Sequence, residues 1–391
     1  MAKRRFRLPG IQDLSKEQED ARALPMEGQH LIVGGPGTGK SILALLRARR
    51  LAQEDTQYVF LVYNHLLNES SRQLLDGKLV SKTWNKWFMD FYEDIIKESI
   101  PKLPPKGRSK WQEIDWQTVL EKLSAIDPEQ RKLTLIVDEG QDMPPEFYQS
   151  LVNLGFENFF VMADQNQNLK DGLNSTRQDI ANSLAIKDER NDSEVIELKY
   201  NYRNKYSVAR LAREFYTGDP ASPPPDLPSM SIKSVKVPLC YGYADQDFKG
   251  LIRRILKTAD LNPSKLFGIL TYNNEDRKKY CNALIECNVK LDNPKPVINT
   301  FSSSERNAIS FDQGGILVIN AQACKGLEFD TIFIADINHF ICNDRNRDNT
   351  KRLFYVMVAR AIDRVILLKQ RGMHCPVDSI LPVDESILER K

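Results

Sequence analysis

Residues 31–46, LIVGGPGTGKSILALL, run in the order apolar strand, glycine turn, lysine, hydroxyl, helix. Gly35, Pro36, Gly37, Thr38 and Gly39 form a turn in which backbone N–H groups can close on phosphate oxygens with no Cβ in the way. The helix that follows turns its positive end toward the same anion. Lys40 is then placed to reach the β and γ phosphates, and the Ser41 hydroxyl to ligate Mg²⁺. The spacing G-x-x-x-x-G-K-S therefore reads as a nucleoside triphosphate site.

A second set of chemical groups follows an apolar run, LTLIV at 133–137, which leads straight into Asp138, Glu139, Gly140, Gln141 and Asp142. Carboxylates at the carboxyl end of a buried parallel strand face the crevice where open α/β sheets bind ligands. Asp138 is suited to hold Mg²⁺, and Glu139 to orient and deprotonate an attacking water. A further strand, 158–162, ends in Ala163, Asp164, Gln165, Asn166 and Gln167, and the strand 195–198 leads to Tyr200, Asn201, Tyr202 and Arg203. Arg203 and, far downstream, Arg360 in RLFYVMVARA are cations that could be lent across a domain boundary to neutralise charge on a transferring phosphoryl group.

The elements needed to position these groups alternate between strand and helix. Residues 11–25 read as a short helix with Ser15 as its N-cap and Pro25 at its end. Residues 58–63, YVFLVY, form a second strand after the phosphate loop and its helix. All four tryptophans, Trp84, Trp87, Trp111 and Trp116, fall within 76–130. Trp84, Trp87, Phe88, Phe91, Tyr92 and Ile95 recur at helical steps, which predicts the small core of an inserted helical subdomain. The loop after them carries Lys102, Lys106, Arg108 and Lys110, so a single-strand stacking platform is the competing expectation. A proline-rich connection at 218–228 leads into a second α/β stretch with strands near 237–243, 266–272, 315–319, 331–334 and 365–369 and helices near 246–258, 273–288 and 350–362. That half has no phosphate loop of its own.

Length and composition bound the class. A chain of 391 residues is long for one core and suggests two domains. Hydrophobic content of 41% and charged content of 28% are those of a globular protein. No apolar run approaches the roughly 20 residues that span a bilayer, and the start, MAKRRFRLPG, lacks the apolar stretch of a secretory signal. The expectation is a cytoplasmic protein with no membrane partner. Six scattered cysteines and four histidines show no ligand spacing, so no structural metal is expected. A net charge of +2 neither demands nor forbids nucleic acid.

Taken together, the motifs resemble the UvrD/Rep/PcrA group of superfamily 1 DNA helicases, in the family's order over nearly the whole chain. LSKEQEDA looks like the adenine-reading Q motif, with Gln18 as its glutamine. GGPGTGKS is similar to motif I, and VDEGQD to the motif II box. ADQNQ resembles motif III, which gives Gln167 the γ-phosphate sensor role. KYNYR resembles motif IV, which would stack Tyr202 on adenine and set Arg203 on phosphate. ACKGLEFD resembles motif V, where Glu328 would meet the ribose, and YVMVARA resembles motif VI, which gives Arg360 the finger role.

The resemblance implies an α/β fold of two RecA-like domains, ATP and Mg²⁺ as ligands, and single-stranded or tailed DNA as substrate. It sets the first domain at 1–75 and 131–200, a small helical insertion at 76–130, and the second domain at 201–391 with its insertion reduced to about 289–314. Family position marks Tyr63, Asn64, Thr83, Trp84 and Gln322 as strand contacts, with Trp84 claimed both by this role and by the helical core. Two departures stand out. The family's SIYxFRGA continuation, whose aromatic stacks on a base, is replaced by Asn168, Leu169, Lys170, Asp171, Gly172 and Leu173, and the arginine that often packs on adenine is Ile42. The expected activity is an ATP-driven DNA translocase or helicase, 3′ to 5′ by family. The rival expectation is an ATP-gated regulatory or loading subunit that clamps DNA or a partner nuclease without unwinding.

Overall fold

The computed structural model describes residues 3–4, 8, 10–75, 77–105, 112–167, 174–189, 192–218, 223–230, 236–302, 305–306 and 309–391. Trp111, Lys106, Arg108, Lys110 and the stretch 168–173 lie outside the described residues. Contacts divide the chain into two compact units, one of residues 8–34 and 40–198, the other of residues 1–7, 35–39 and 199–391.

The amino-terminal unit opens on α1 (Lys16–Ala23), where Ser15 and Gln18 exchange side chain to backbone hydrogen bonds of 3.0 and 3.3 Å in a capping box. Such a cap contributes about 1 kcal/mol. There follow β1 (Gln29–Gly34), α2 (Lys40–Gln53), β2 (Tyr58–Val62), α3 (His65–Leu74), β3 (Ser81–Thr83), α4 (Trp84–Ile96), α5 (Trp116–Leu123), β4 (Thr134–Val137), α6 (Pro145–Asn153), β5 (Phe159–Ala163), α7 (Arg177–Ser183), the short antiparallel pair β6 (Asp188–Glu189) and β7 (Asp192–Ser193), and β8 (Ile196–Leu198). The main sheet has the order β3-β2-β4-β5-β1-β8, and every neighbouring pair is parallel.

Side chains that alternate along these strands build two cores. Leu31, Val33, Val59, Leu61, Leu135, Val137, Phe159 and Val161 point to one face. Ile32, Phe60, Val62, Ile136, Phe160 and Met162 point to the other, onto Leu43, Ala44 and Leu51 of α2. Strands buried on both faces explain the continuous apolar runs of the sequence. Because all are parallel, the carboxyl ends of β1, β4 and β5 share one edge, and β5 lies between the other two.

The aromatic stretch departs from expectation. Trp87, Phe88 and Tyr92 of α4 belong to the same cluster as Leu31 and Val59 of the sheet, and Val119 and Leu123 of α5 join them. Phe88 meets Phe147 of α6 at 5.5 Å between ring centroids. The helical period is as read, but among the described residues the face it makes packs on the sheet layer as part of one shared cluster. β3 is likewise the edge strand of that sheet.

The carboxy-terminal unit comprises α8 (Tyr206–Glu214), β9 (Leu239–Tyr243), α9 (Phe248–Asp260), β10 (Leu266–Thr271), α10 (Asn274–Glu286), β11 (Ile298–Ser302), β12 (Glu305–Arg306), β13 (Gly315–Asn320), β14 (Phe329–Ile334), α11 (Arg347–Ala359), β15 (Ala361–Gln370) and β16 (Glu389–Arg390). Its sheet has the order β12-β11-β13-β10-β14-β15-β9-β16, parallel throughout except for the β11/β12 pair. β11 comes from within 289–314, so that segment supplies a strand to the sheet. α9 and α10 cover one face through Leu251, Ile255, Tyr280 and Leu284. α8 packs on α11, with Phe215 just past α8 set 5.3 Å from Phe354.

Two short pieces of the amino-terminal sequence sit in this unit. Arg4 donates to Asp330 at 3.1 Å and to the Glu328 carbonyl at 3.1 Å. Residues 35–39, the phosphate loop itself, also group here. The expected boundary of a first domain that holds all of 1–75 differs on both counts, because backbone contacts of these pieces outweigh their place in the chain.

Candidate nucleotide site

In the amino-terminal unit the site is built on the carboxyl edge of β4, β5 and β1. Lys40, the first residue of α2, donates from Nζ to the Gly34 carbonyl at 2.6 Å and lies 3.5 Å from Asp164 Oδ2 at the end of β5. The two side chains are 8% and 0% exposed. Gln167 Nε2 donates to the same Asp164 Oδ2 at 2.5 Å, and the Asn166 N–H to Oδ1 at 3.1 Å. The Asp164 N–H donates to Gln141 Oε1 at 2.8 Å, while Gln141 Nε2 donates to Glu139 Oε2 at 2.7 Å. Lys40, Asp164, Gln167, Gln141 and Glu139 are thus joined in one hydrogen-bonded network.

Glu139 adopts a left-handed backbone with φ of 60°. That bend, next to Gly140 whose carbonyl accepts from Tyr148 Oη at 2.7 Å, turns the chain sharply at the end of β4. A non-glycine residue held there is a local cost found at functional turns. Asp138 Oδ1 accepts from the Glu139 N–H at 3.1 Å. Burial and the neighbouring Glu139 carboxylate push the Asp138 carboxyl above its ordinary value, against the pull of Ser41 and Lys40.

These residues fit a divalent cation. Asp138 Oδ2 is buried without a hydrogen-bond partner. An orphaned buried acceptor is costly, and a hydrated cation satisfies it. Ser41 and Asp138 would hold Mg²⁺, as hard oxygen donors of the kind it takes.

In the carboxy-terminal unit the loop residues meet the segment after β8. The Tyr202 N–H donates to the Gly37 carbonyl at 2.8 Å. Gly37 has φ of +80°, and a Cβ there would stand 2.2 Å from Asn201 Oδ1 and 3.1 Å from Arg203 Cβ. Only glycine fits both the backbone and the space. On its other side the loop is tight as well: a Cβ on Gly35 would come within 2.3 Å of Pro225 Cδ. The Thr38 hydroxyl donates to the Gly35 carbonyl at 2.8 Å, which closes the turn.

Asn201 organises the arginines. Its Oδ1 accepts from the N–H groups of Arg203 at 3.1 Å and Asn204 at 3.0 Å, and its Nδ2 donates to Asn204 Oδ1 at 2.8 Å. Asn204 Nδ2 in turn donates to the carbonyls of Ala359, at 3.0 Å, and Ala361, the two neighbours of Arg360. Arg360 is 2% exposed, and its Nε donates to the Val356 carbonyl at 3.3 Å. Arg203 pairs with Glu328. Burial raises the Glu328 carboxyl, but Arg203, Arg4 and Arg360 outweigh it and hold the group below its ordinary value. Tyr202 and Tyr200 are exposed, with ring centroids 6.4 Å apart.

Other expected contacts are placed as follows. Gln18 is buried, with its side chain engaged in the α1 capping box. Asn64 caps α3 by accepting the Leu67 N–H at 2.8 Å, and Tyr63 beside it is half-buried. Thr83 is the half-buried N-cap of α4. Trp84 packs edge-on against Phe147, 5.5 Å between centroids, so of its two expected roles the packing one is occupied. Gln322 is exposed on the turn after β13.

Sequence reasoning assigned no role to Asp164, Gln141, Asn201, Asn204, Arg4 or Pro225. Asp164 carried the same signal as Asp138, an acid at the end of an apolar run. The structure also brings together Asp276, Asp336 and His339. There the Asp336 oxygens already accept from Tyr243, Tyr280 and Lys279, and His339 pairs with Asp276 at 2.8 Å.

A family model described as the Schlafen group 3, DNA/RNA helicase domain matches residues 29–233, just over half of the chain. A second, described as the UvrD-like helicase C-terminal domain, matches residues 315–368. No curated protein matches the sequence. Among solved structures, the carboxy-terminal domain of a possible DNA helicase from Lactobacillus plantarum is 14% identical, with 48% of this chain and 97% of that one covered at a TM-score of 0.34, a likeness too slight to argue from.

Proposed function

Because this chain belongs to the UvrD-like helicase family, with a Schlafen group 3 DNA/RNA helicase domain over residues 29–233, we propose that it hydrolyses ATP to move along single-stranded nucleic acid. DNA with a single-stranded tail is the substrate proposed first, and 3′ to 5′ the direction. The observation that carries the reading is the carboxyl edge of β4-β5-β1, where Lys40, Asp164, Gln167 and Glu139 are networked beside an unsatisfied Asp138 oxygen.

In this reading the N–H groups of residues 35–39 cradle the phosphates and Lys40 neutralises them. Ser41 and Asp138 would hold Mg²⁺, which would supply neutralisation of phosphate charge. Glu139, oriented by Gln141, aligns the attacking water and takes its proton. Gln167 senses the γ phosphate. Arg203 and Arg360 stabilise charge on the transferring group, Tyr202 stacks on the base, and Glu328 and Gln18 meet the nucleoside. A cycle of nucleotide-driven closure and release would advance the strand.

ATP turnover measured with single-stranded DNA, blunt duplex, tailed duplex and single-stranded RNA tests the reading. Stimulation by single strands and tails supports it. Absence of turnover under all four conditions overturns it, and turnover indifferent to nucleic acid favours a nucleotide-gated clamp that serves a nuclease or other DNA-processing partner.

A further inference from the structure

Asp164 touches several groups of the site at once. Its Oδ2 faces the Lys40 ammonium at 3.5 Å and accepts from Gln167 at 2.5 Å, and its own N–H holds Gln141, which holds Glu139. The position follows from topology: β5 lies between the strand that leads into the phosphate loop and the strand that ends in Asp138. Whatever sits at the end of β5 is neighbour to both.

We propose that Asp164 is a positioning residue that grips Lys40 and competes with the phosphates of a nucleotide for it. The proposal rests on the reading of this edge as a nucleoside triphosphate site. Here the Lys40 ammonium is committed to the Gly34 carbonyl and to the Asp164 carboxylate, both away from bulk water. A triphosphate must draw it off one or both. The carboxylate opposes this twice, since it holds the cation and then stands as a second anion beside the phosphates in a poorly screened site. Once Lys40 leaves, the Asp164 Oδ2 loses its charge partner and rests on Gln167 alone among the contacts described above. Occupancy is thereby passed to Gln167 directly and to Glu139 through Gln141.

A structural role alone predicts that any change at Asp164 weakens nucleotide binding. The competition predicts the reverse for a neutral replacement. In the purified full chain, titration with a fluorescent ATP analogue and steady-state turnover should show Asp164→Asn binding about fivefold or more tightly, with kcat about tenfold or more lower as Gln167 and Glu139 lose alignment. Asp164→Ser is a second neutral variant in case the first fails to fold, and Asp164→Glu, which keeps the charge, should return the affinity toward that of the unaltered chain. If the unaltered chain binds nucleotide and neither neutral variant binds it more tightly, the proposal falls alone. If Asp164→Glu tightens binding as much as the neutral variants, it also falls. An unaltered chain that binds no nucleotide overturns the site reading and the proposal together.

Discussion

Arg203 donates from Nε to Glu328 Oε1 at 2.7 Å, and its Nη2 stands 2.5 Å from the same oxygen as an ion pair. In the proposed role, the guanidinium leaves this carboxylate for a phosphate, and a planar fork suits both partners. Arg203→Ala and Arg203→Lys should each lower ATP turnover by about a hundredfold or more, because an ammonium on a flexible stem does not reproduce the fork. Steady-state kinetics with a parallel binding titration checks this. A lysine variant with full turnover would remove Arg203 from the chemistry.

Lys40→Ala should abolish turnover, and Arg360→Ala should remove most of it while nucleotide still binds. The first also strips the buried Asp164 of its cation and should cost a few kcal/mol of stability. Measured turnover in a folded Lys40→Ala chain would refute the phosphate role.

Gly37 and Gly77 make a matched pair, since both have positive φ, +80° and +75°, but only Gly37 has neighbours where a Cβ would go. Gly77→Ala should cost about 1 kcal/mol for backbone strain. Gly37→Ala adds the clash with Asn201 and should cost at least about 1 kcal/mol more, with loss of nucleotide binding. Chemical denaturation of the two variants reads the difference.

Trp84 and Gln322 should separate stability from strand contact. Trp84→Ala removes a ring packed on Phe147 and should destabilise the chain by about 2–3 kcal/mol. Gln322→Ala, on an exposed turn, should leave stability within about 0.5 kcal/mol and weaken single-strand binding. Melting curves beside filter-binding or anisotropy titrations distinguish them.

Cys324 is fully buried, and burial pushes its thiol up to about 12. It should stay unmodified by thiol reagents at pH 8 in the folded chain, whereas the part-exposed Cys287 and Cys342 react. The folded state keeps a proton there that the unfolded chain releases near the ordinary thiol value. This contribution to stability is therefore complete below about pH 8.5 and is lost as pH rises toward 12. Mass spectrometry after alkylation, and denaturation midpoints against pH for the chain and its Cys324→Ala variant, provide the check.

Much of the fold was legible because short apolar runs bounded by glycine, acids or asparagine, alternating with helical patterns, fit buried parallel strands. Sequence pattern also set Lys40 at the start of the helix after the glycine turn and Asp138 directly after its strand, and the elements fall there. What could not be read were relations across long stretches of chain. The grip of Asp164 on Lys40 spans 124 positions, and that of Asn204 on the carbonyls beside Arg360 spans more. Periodicity likewise showed that α4 has an apolar face but not what it lies against. The start of the chain offered no sign of a partner, while Arg4 pairs with Asp330, 326 positions away.

α4 buries its rings in the same layer as the strands that carry the proposed nucleotide edge. A helix rooted this way cannot pivot as an independent arm without tearing open the interior it shares. Under the proposed function, a strand drawn past it would slide against a fixed wall, and the stroke would have to come from elements other than this helix.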